Sequence, residues 1–501
     1  MKLLGLLFLL SLAGISAHAD DTATCNNLGF APKSVHQTVV MGAQTIPYTV
    51  TVGFTPIPKA DGTLGACIFS TRYTRDDVTD LTKRPITFLY NGGPGNSSSF
   101  IHLTGLGPKR LDLGDDGLDF TKGPALNDNP NTFLDVTDMV FIDPVGTGYT
   151  IMAPGVDITT FEGNENDAKL FSDFIFSSIT TLGRTASPLF LAGESYGGIR
   201  TPIAAYKLVL DHKVQPSGLI LLSPALDERN IYGGDLGNNQ PYITHLPSMI
   251  MTGWYYKMTT PQMQSLDLES AYQAAKKFAD TAYADAVFEN DSLNASDITA
   301  MQTEVQQMTG DAHLLWGVYG TNGFIPEQVL QFQDFEDTLL KDKSLVMSWY
   351  DGRVTAPLAT VQAAGYNDPL NVLINPSLIP AEAAYFGQTL GIPSTFKYVD
   401  SFNPTTWNFP TDEEAYSAST NELQSILLSL PKLKVYIASG LFDDSCSTNT
   451  IEYAIDQLAP AAMQKISISH FPSGHMVYQG KNNAAKLAQE VRAFLTSQAA
   501  Q

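Results

Sequence analysis

Apolar positions along the first half of the chain fall into two kinds of run. Val35 to Thr55 alternates like strand material, with a turn at Met41-Gly42-Ala43, and Cys67 to Thr74 continues the pattern. These stretches predict an antiparallel N-terminal edge. The runs that follow are shorter and continuously apolar. Ile86 to Tyr90 stops at Asn91-Gly92-Gly93-Pro94-Gly95, and Met139 to Asp143 stops at Pro144-Val145-Gly146-Thr147-Gly148. Leu189 to Ala192 stops at the glycines around Ser195, and Leu219 to Leu222 is the fourth. Such runs, bounded by glycine, suit strands buried on both faces of a parallel sheet. Helical spacing appears between them, at 166–179 and 199–211, and that alternation predicts an α/β domain.

From about Asp227 to Leu430 the rhythm is lost. Residues 270–286 and 297–308 read as amphipathic helices set among polar loops, so an inserted, mainly helical cap is expected. Strand-like runs return at Leu433 to Ile437 and Lys465 to Ser469, and a last amphipathic helix covers about Asn483 to Leu495. The expected organisation is a leader at 1–19, a core in two parts at 20–226 and 431–501, and the cap at 227–430.

The leader rests on Met1-Lys2, an apolar stretch Leu3 to Leu12, and Ala17-His18-Ala19 before Asp20. A basic start, a short apolar centre and an A-x-A end are the parts of a secretory signal peptide. The apolar stretch is too short to span hydrocarbon, so a secreted or periplasmic protein, free of the membrane after cleavage, is expected. Losing Lys2 takes the net charge from −22 to −23. That balance excludes nucleic acid as a partner, because phosphate binding needs a basic footprint. Oligomeric state is not legible. Of three cysteines, Cys25 and Cys67 are the easiest pair in an oxidising compartment, which leaves Cys446 over. No cysteines or histidines show metal-ligand spacing, and there is no phosphate-cradling glycine loop, so neither metal nor other cofactor is expected.

Candidate chemistry centres on Gly193-Glu194-Ser195-Tyr196-Gly197, a G-x-S-x-G run between a buried strand and a helix. In that context it is a nucleophile elbow, whose glycines permit the strained turn that exposes the serine hydroxyl. The expected fold is therefore an α/β-hydrolase, a mostly parallel central sheet carrying the cap, with Ser195 as nucleophile. The serine needs a base and the base an orienting acid, on loops after later strands. Among eight histidines, His18, His36 and His102 precede Ser195, His212 ends the helix leaving the elbow, and His245 and His313 fall in the cap. His470 is nearly within the strand Lys465 to Ser469, whereas His475 lies on the loop beyond it and is the expected base. For the acid, Leu433 to Ile437 leads into Gly440-Leu441-Phe442-Asp443-Asp444. Asp443 is preferred and Asp444 is its rival. An oxyanion would be held by backbone N–H groups of Tyr196 and Gly93.

Four blocks together resemble the serine carboxypeptidase family. They are Asn91 to Ser98, Asp143 to Gly148, Gly193 to Gly198 and Gly474 to Val477, in the family's order. Leu246-Pro247-Ser248 through Trp254-Tyr255, and Trp349 to Arg353, look more like the family's bacterial branch. The resemblance implies release of one residue from a peptide's free C-terminus, with a peptide as substrate. It also implies that Asn91 and Glu194 bind the terminal carboxylate, the glutamate as a neutral acid that donates a hydrogen bond. The chain departs from the family at four places. Gly105 stands where a second glutamate would pair with Glu194, Leu89 replaces a tryptophan, Asn96 a cysteine, and Leu441 an aspartate. An acyltransferase or esterase of the same fold would keep Ser195 and His475 but need no grip on a carboxylate. A catalytically silent binding module would be expected to lack a member of the triad, and all three have candidates here.

Overall fold

The computed structural model describes residues 25, 30–231, 238–289, 292–314, 318–320, 323–325, 332–365, 367–402, 407 and 417–500. The expected leader at 1–19 lies outside them. The N-terminal pattern folds as β1 (Lys33–Met41), β2 (Gln44–Pro58) and β3 (Leu64–Arg75). The continuous apolar runs become β4 (Ile86–Tyr90), β5 (Asp138–Ile142), β6 (Leu189–Glu194) and β7 (Gly218–Leu222). Two later strands complete the set, β8 (Lys434–Gly440) and β9 (Ile466–Phe471). They form one sheet in the order β1-β2-β3-β5-β4-β6-β7-β8-β9. In the order β5-β4-β6-β7-β8-β9 every neighbouring pair is parallel, and in β1-β2-β3-β5 every neighbouring pair is antiparallel.

All five residues of β4, β5 and β7 are buried, and so are all six of β6. A parallel sheet packed on both faces requires this. Alternation then splits each strand between two cores. Phe190 and Ala192 face the side where the C-terminal helix packs, while Leu189 and Leu191 face the helices that follow β5 and β6. Burying each such Leu or Phe contributes about 1.5–3 kcal/mol. The helices on the second face are α1 (Asn164–Thr181) and α2 (Gly197–His212). Pro202, inside α2, has no N–H to give to Gly198 four residues earlier. Ser419 Oγ reaches the Gly198 carbonyl oxygen instead, at 3.2 Å.

Between β7 and β8 the chain forms α3 (Gln240–Tyr255), α4 (Leu268–Phe278) and α5 (Ala295–Thr309), with α6 (Pro369–Glu382) and α7 (Thr420–Ser429) further on. The first three bury their own core, including Leu246, Ile250, Tyr272 and Val305. Leu441 and Phe442, from the loop after β8, join that core. Short antiparallel pairs, such as Leu345–Met347 with Thr355–Pro357, interrupt the helices. By contrast α6 places Leu370, Ile374 and Leu378 in the sheet's first core, and α7 packs against α2 in the second. Packing on the sheet therefore resumes before residue 430. The final helix, α8 (Lys481–Ala499), lays Leu487, Val491 and Leu495 against the first face. No helix among the described residues is long and apolar enough to cross a membrane.

A disulfide joins Cys25 to Cys67, as the sequence suggested, and Cys446 is free and buried.

Candidate active site

Ser195 follows the last residue of β6 with φ of 62°, a left-handed conformation that a non-glycine residue adopts only when its surroundings enforce it. The enforcing contacts are backbone ones. Ser195 N–H donates to the Leu222 carbonyl at 3.1 Å, and the Ser195 carbonyl accepts from Gly198 and Ala225 at 2.7 and 2.9 Å. The turn is so tight that a Cβ on Gly193 would lie 2.3 Å from the Gly197 oxygen. Only glycine fits there. Gly92 is constrained from the other side, since its Cβ would sit 2.4 Å from Tyr196 N. The Asn91-Gly92-Gly93 loop after β4 thus lies directly on the elbow, and Gly93 and Tyr196 share one cleft with Ser195.

His475 sits on the loop after β9, fully inside the protein. Its Nδ1 is 2.8 Å from Asp443 Oδ2. Asp443 is wholly buried at the end of β8, and its other oxygen accepts from Ser445 and Cys446 N–H, each at 2.9 Å. Burial presses the His475 pKa down, but the adjoining Asp443 carboxylate more than offsets this, so the imidazole is a stronger base than a free one. Asp444 turns the other way. Its Oδ1 accepts from Ser248 in α3, and burial pushes its pKa up to about 8. The structure brings Asp443, not Asp444, to the histidine. His470 pairs with Glu269 and Glu452 at 3.1 and 3.0 Å, away from the cleft. His102 is stacked on Phe141 beside Tyr73.

The residues expected to grip a carboxylate also meet. Asn91 Nδ2 donates to Glu194 Oε1 at 2.6 Å, and Asn91 Oδ1 accepts from Ile101 N–H at 2.9 Å, which fixes the amide's orientation. Glu194 is buried beneath the cleft floor. Burial raises its pKa to about 7, against the lowering influence of His475, Tyr478 and Asn91. The cleft has a volume of about 190 Å³ and is lined by Asn91, Gly93, Glu194, Ser195, Tyr196 and His475, among others.

Several residues here had no role at the site in the sequence reading. Arg200, fully buried in α2, pairs with Asp167 at 2.7 Å and donates to the Asn91 carbonyl at 2.6 Å. Asp143 accepts from Ser98 N–H at 3.0 Å, so the Asp143 to Gly148 block steadies the Asn91 to Ser98 block. The free Cys446 lines the cleft, with burial pushing its thiol up and keeping it protonated. Trp349 to Arg353 ties the loops of Asp443 and His475 together. Asp444 N–H donates to the Trp349 carbonyl at 3.0 Å and His475 N–H to the Tyr350 carbonyl at 2.6 Å. Gly474 N–H donates to Asp351 Oδ2 at 3.1 Å, and Arg353 to the Pro472 carbonyl at 2.7 Å. Tyr478 lies behind Glu194, close enough for each to affect the other's ionisation, though outside ordinary hydrogen-bond geometry. A buried Arg inside the elbow helix was the one signal available for Arg200. The other contacts join residues far apart in the chain.

Comparison with known proteins follows the same line. The sequence profile of serine carboxypeptidases matches residues 73–467. The lysosomal protective protein of Mus musculus is 24% identical over 410 residues, covering 79% of this chain and 75% of that protein. A carboxypeptidase Y homolog from Arthroderma benhamiae is 34% identical over 149 residues, 29% of this chain. That stretch spans only 27% of the fungal protein, and the match to the pheromone-processing carboxypeptidase KEX1 of Yarrowia lipolytica spans 24%. Among solved structures, the prohormone-processing carboxypeptidase Kex1 from Saccharomyces cerevisiae superposes with a TM-score of 0.55 at 16% identity. It covers 90% of this chain and 91% of its own, a likeness of fold alone.

Proposed function

This chain belongs to the serine carboxypeptidase family, and from that premise we propose that it hydrolyses the last peptide bond of substrates with a free C-terminus. The observation that carries the reading is the buried Asn91–Glu194 pair, hydrogen-bonded at 2.6 Å in the same cleft as Ser195. In it an amide and a carboxyl that keeps its proton to about pH 7 sit where a carboxylate ligand would end.

The geometry supports the following steps. With the terminal carboxylate on Asn91 and Glu194, Ser195 Oγ attacks the last peptide carbonyl while His475 takes its proton. Asp443 holds His475 in the tautomer that leaves Nε2 free and stabilises the imidazolium. The N–H groups of Gly93 and Tyr196 receive the developing oxyanion. His475 then protonates the leaving amine, the terminal amino acid departs, and an acyl-enzyme on Ser195 remains. Water, deprotonated by His475, hydrolyses that ester and restores the serine. The Cys25–Cys67 disulfide supports work in an oxidising compartment, in keeping with a leader at 1–19.

An N-blocked dipeptide offered as the free acid and as its C-terminal amide tests the substrate class. The free acid is expected to be cleaved with kcat/KM at least about 100-fold higher, the worth of about 2.7 kcal/mol from the carboxylate contacts. Equal rates would point to an esterase or acyltransferase instead. Fluorophosphonate labelling is expected to vanish in Ser195→Ala; an unlabelled intact protein would indicate a silent binding module.

A further inference from the structure

Gly105 lies in the helical turn Phe100–Leu106, and every residue of that turn from Ile101 onward is buried. A Cβ there would stand 2.9 Å from Tyr478 Cδ2, 3.0 Å from Cε2 and 3.1 Å from Cγ. Real side chains do not approach so closely, so the Tyr478 ring occupies the volume that any other residue at 105 would claim. The ring is wholly buried, on the loop three residues after His475. Its hydroxyl is one of two orphaned polar atoms at this place. The other is Glu194 Oε2, the carboxyl oxygen that Asn91 does not hold. Two buried atoms, one a donor and one an acceptor, stand beside each other without a hydrogen bond of good geometry, and the phenol's other side-chain neighbour, the Thr104 hydroxyl, already gives its proton to the Phe100 carbonyl at 2.8 Å. Leaving both unmade is costly, because each has lost its water without gaining a partner, so a small ring movement that joins them is favoured.

We propose that Tyr478 is the positioning residue of the carboxylate-binding pair, its phenol donating to Glu194 Oε2 while Asn91 donates to Oε1, with Gly105 leaving the room its ring needs. The assignment rests on the function proposed above. Held at both oxygens, the Glu194 carboxyl has its plane fixed toward the cleft, and the side chain keeps that plane whether or not a ligand is bound. The phenol is a neutral donor, so it favours the ionised glutamate and works against burial. The other charged groups facing Glu194 are His475 and Asp443, while the half-buried Arg110 faces Tyr478 from the turn's far end. None of these changes when the phenol is removed.

The test uses the full chain with Tyr478→Phe, measuring kcat and KM for the free-acid dipeptide from about pH 5 to 9. Loss of the donor is expected to raise KM about fivefold below pH 6 while kcat stays within about twofold. It should also move the basic limb of kcat/KM upward by about half a unit to one unit, because the ionised glutamate loses its stabiliser. Gly105→Ala, which keeps the phenol but displaces the ring, is expected to produce both changes as well. It serves as the second reading should the first variant fold poorly, with fluorophosphonate labelling and near-UV circular dichroism reporting the fold. An unmoved limb and an unmoved KM in a folded variant would overturn the assignment. A parent protein that does not prefer the free acid to the amide would instead overturn the functional reading, and this assignment with it.

Discussion

Glu194 lies next to the serine in sequence and within the electric field of His475, yet the proposed function has it face a ligand of its own sign. A carboxyl can meet a carboxylate only by keeping a proton, and burial supplies the reason it does so up to about pH 7. As pH rises through that value the group ionises, repels the substrate's terminus, and KM should climb. Glu194→Gln removes the titration while keeping a donor in place. Its KM for the free-acid dipeptide is expected to stay level from about pH 5.5 to 8.5, where the parent's KM should rise about tenfold. A parallel rise in both proteins would place the titrating group elsewhere. At this scale the sequence was informative wherever a residue sat at a strand end beside glycine. Ser195, His475 and Asp443, the triad proposed above, could each be singled out from strand boundaries and chain order. Tyr478 and Arg200 could not, because their meaning lies in contacts across the fold: Tyr478 with Gly105 and Glu194, Arg200 with Asp167 and Asn91. Gly105 looked only like a missing glutamate until the ring beside it came into view.

The elements themselves were legible from periodicity. Each apolar run bounded by glycine became a parallel strand, since burial on both faces leaves no polar position to interrupt the run. The segment between β7 and β8 was read more coarsely, as one helical block, because amphipathic helices do not reveal which surface they cover. In the structure α3 to α5 bury one another, whereas α6 and α7 return to the sheet. Between these two groups lies the loop 349–353, which bridges the acid and base loops through backbone bonds. Its rigidity depends on Asp351, nearly buried, bonded to Arg353 at 2.6 and 2.8 Å and capping Gly474 N–H. Asp351→Ala leaves the Arg353 charge without its partner and should lower stability by about 3–5 kcal/mol. The urea midpoint measures that loss, and kcat on the dipeptide should fall with it as His475 loses its fixed position. A loss below about 1 kcal/mol with kcat unchanged would show that the loop does not brace the site.

For the molecule as a whole, the buried carboxyls set a stability trend opposite to that of surface acids. Asp143, Glu194 and Glu228 are held up at about 7 and Asp444 at about 8, all first through burial. The unfolded chain would ionise them near pH 4. From about pH 4 to about 8 the folded protein therefore keeps protons on these groups that the unfolded one has released, and their contribution to stability falls as pH rises through that window. His470 and His475, whose pKa values are raised in the fold, act in the same direction. The buried His102 and His245, held down at about 3 and 4, add stability only as pH climbs toward 6.5 and nothing beyond it. The melting temperature is expected to drop from about pH 6.5 to 8.5 in differential scanning calorimetry; a rise would contradict the burial of these groups. The loop at 349–353 has a last consequence, for modularity. A segment inserted between two strands invites treatment as a cassette, to be exchanged between relatives for new specificity. Here the cassette carries the clasp between the Asp443 and His475 loops, so a graft that replaced it whole would transfer a new pocket and unfasten the proposed acid and base in the same operation.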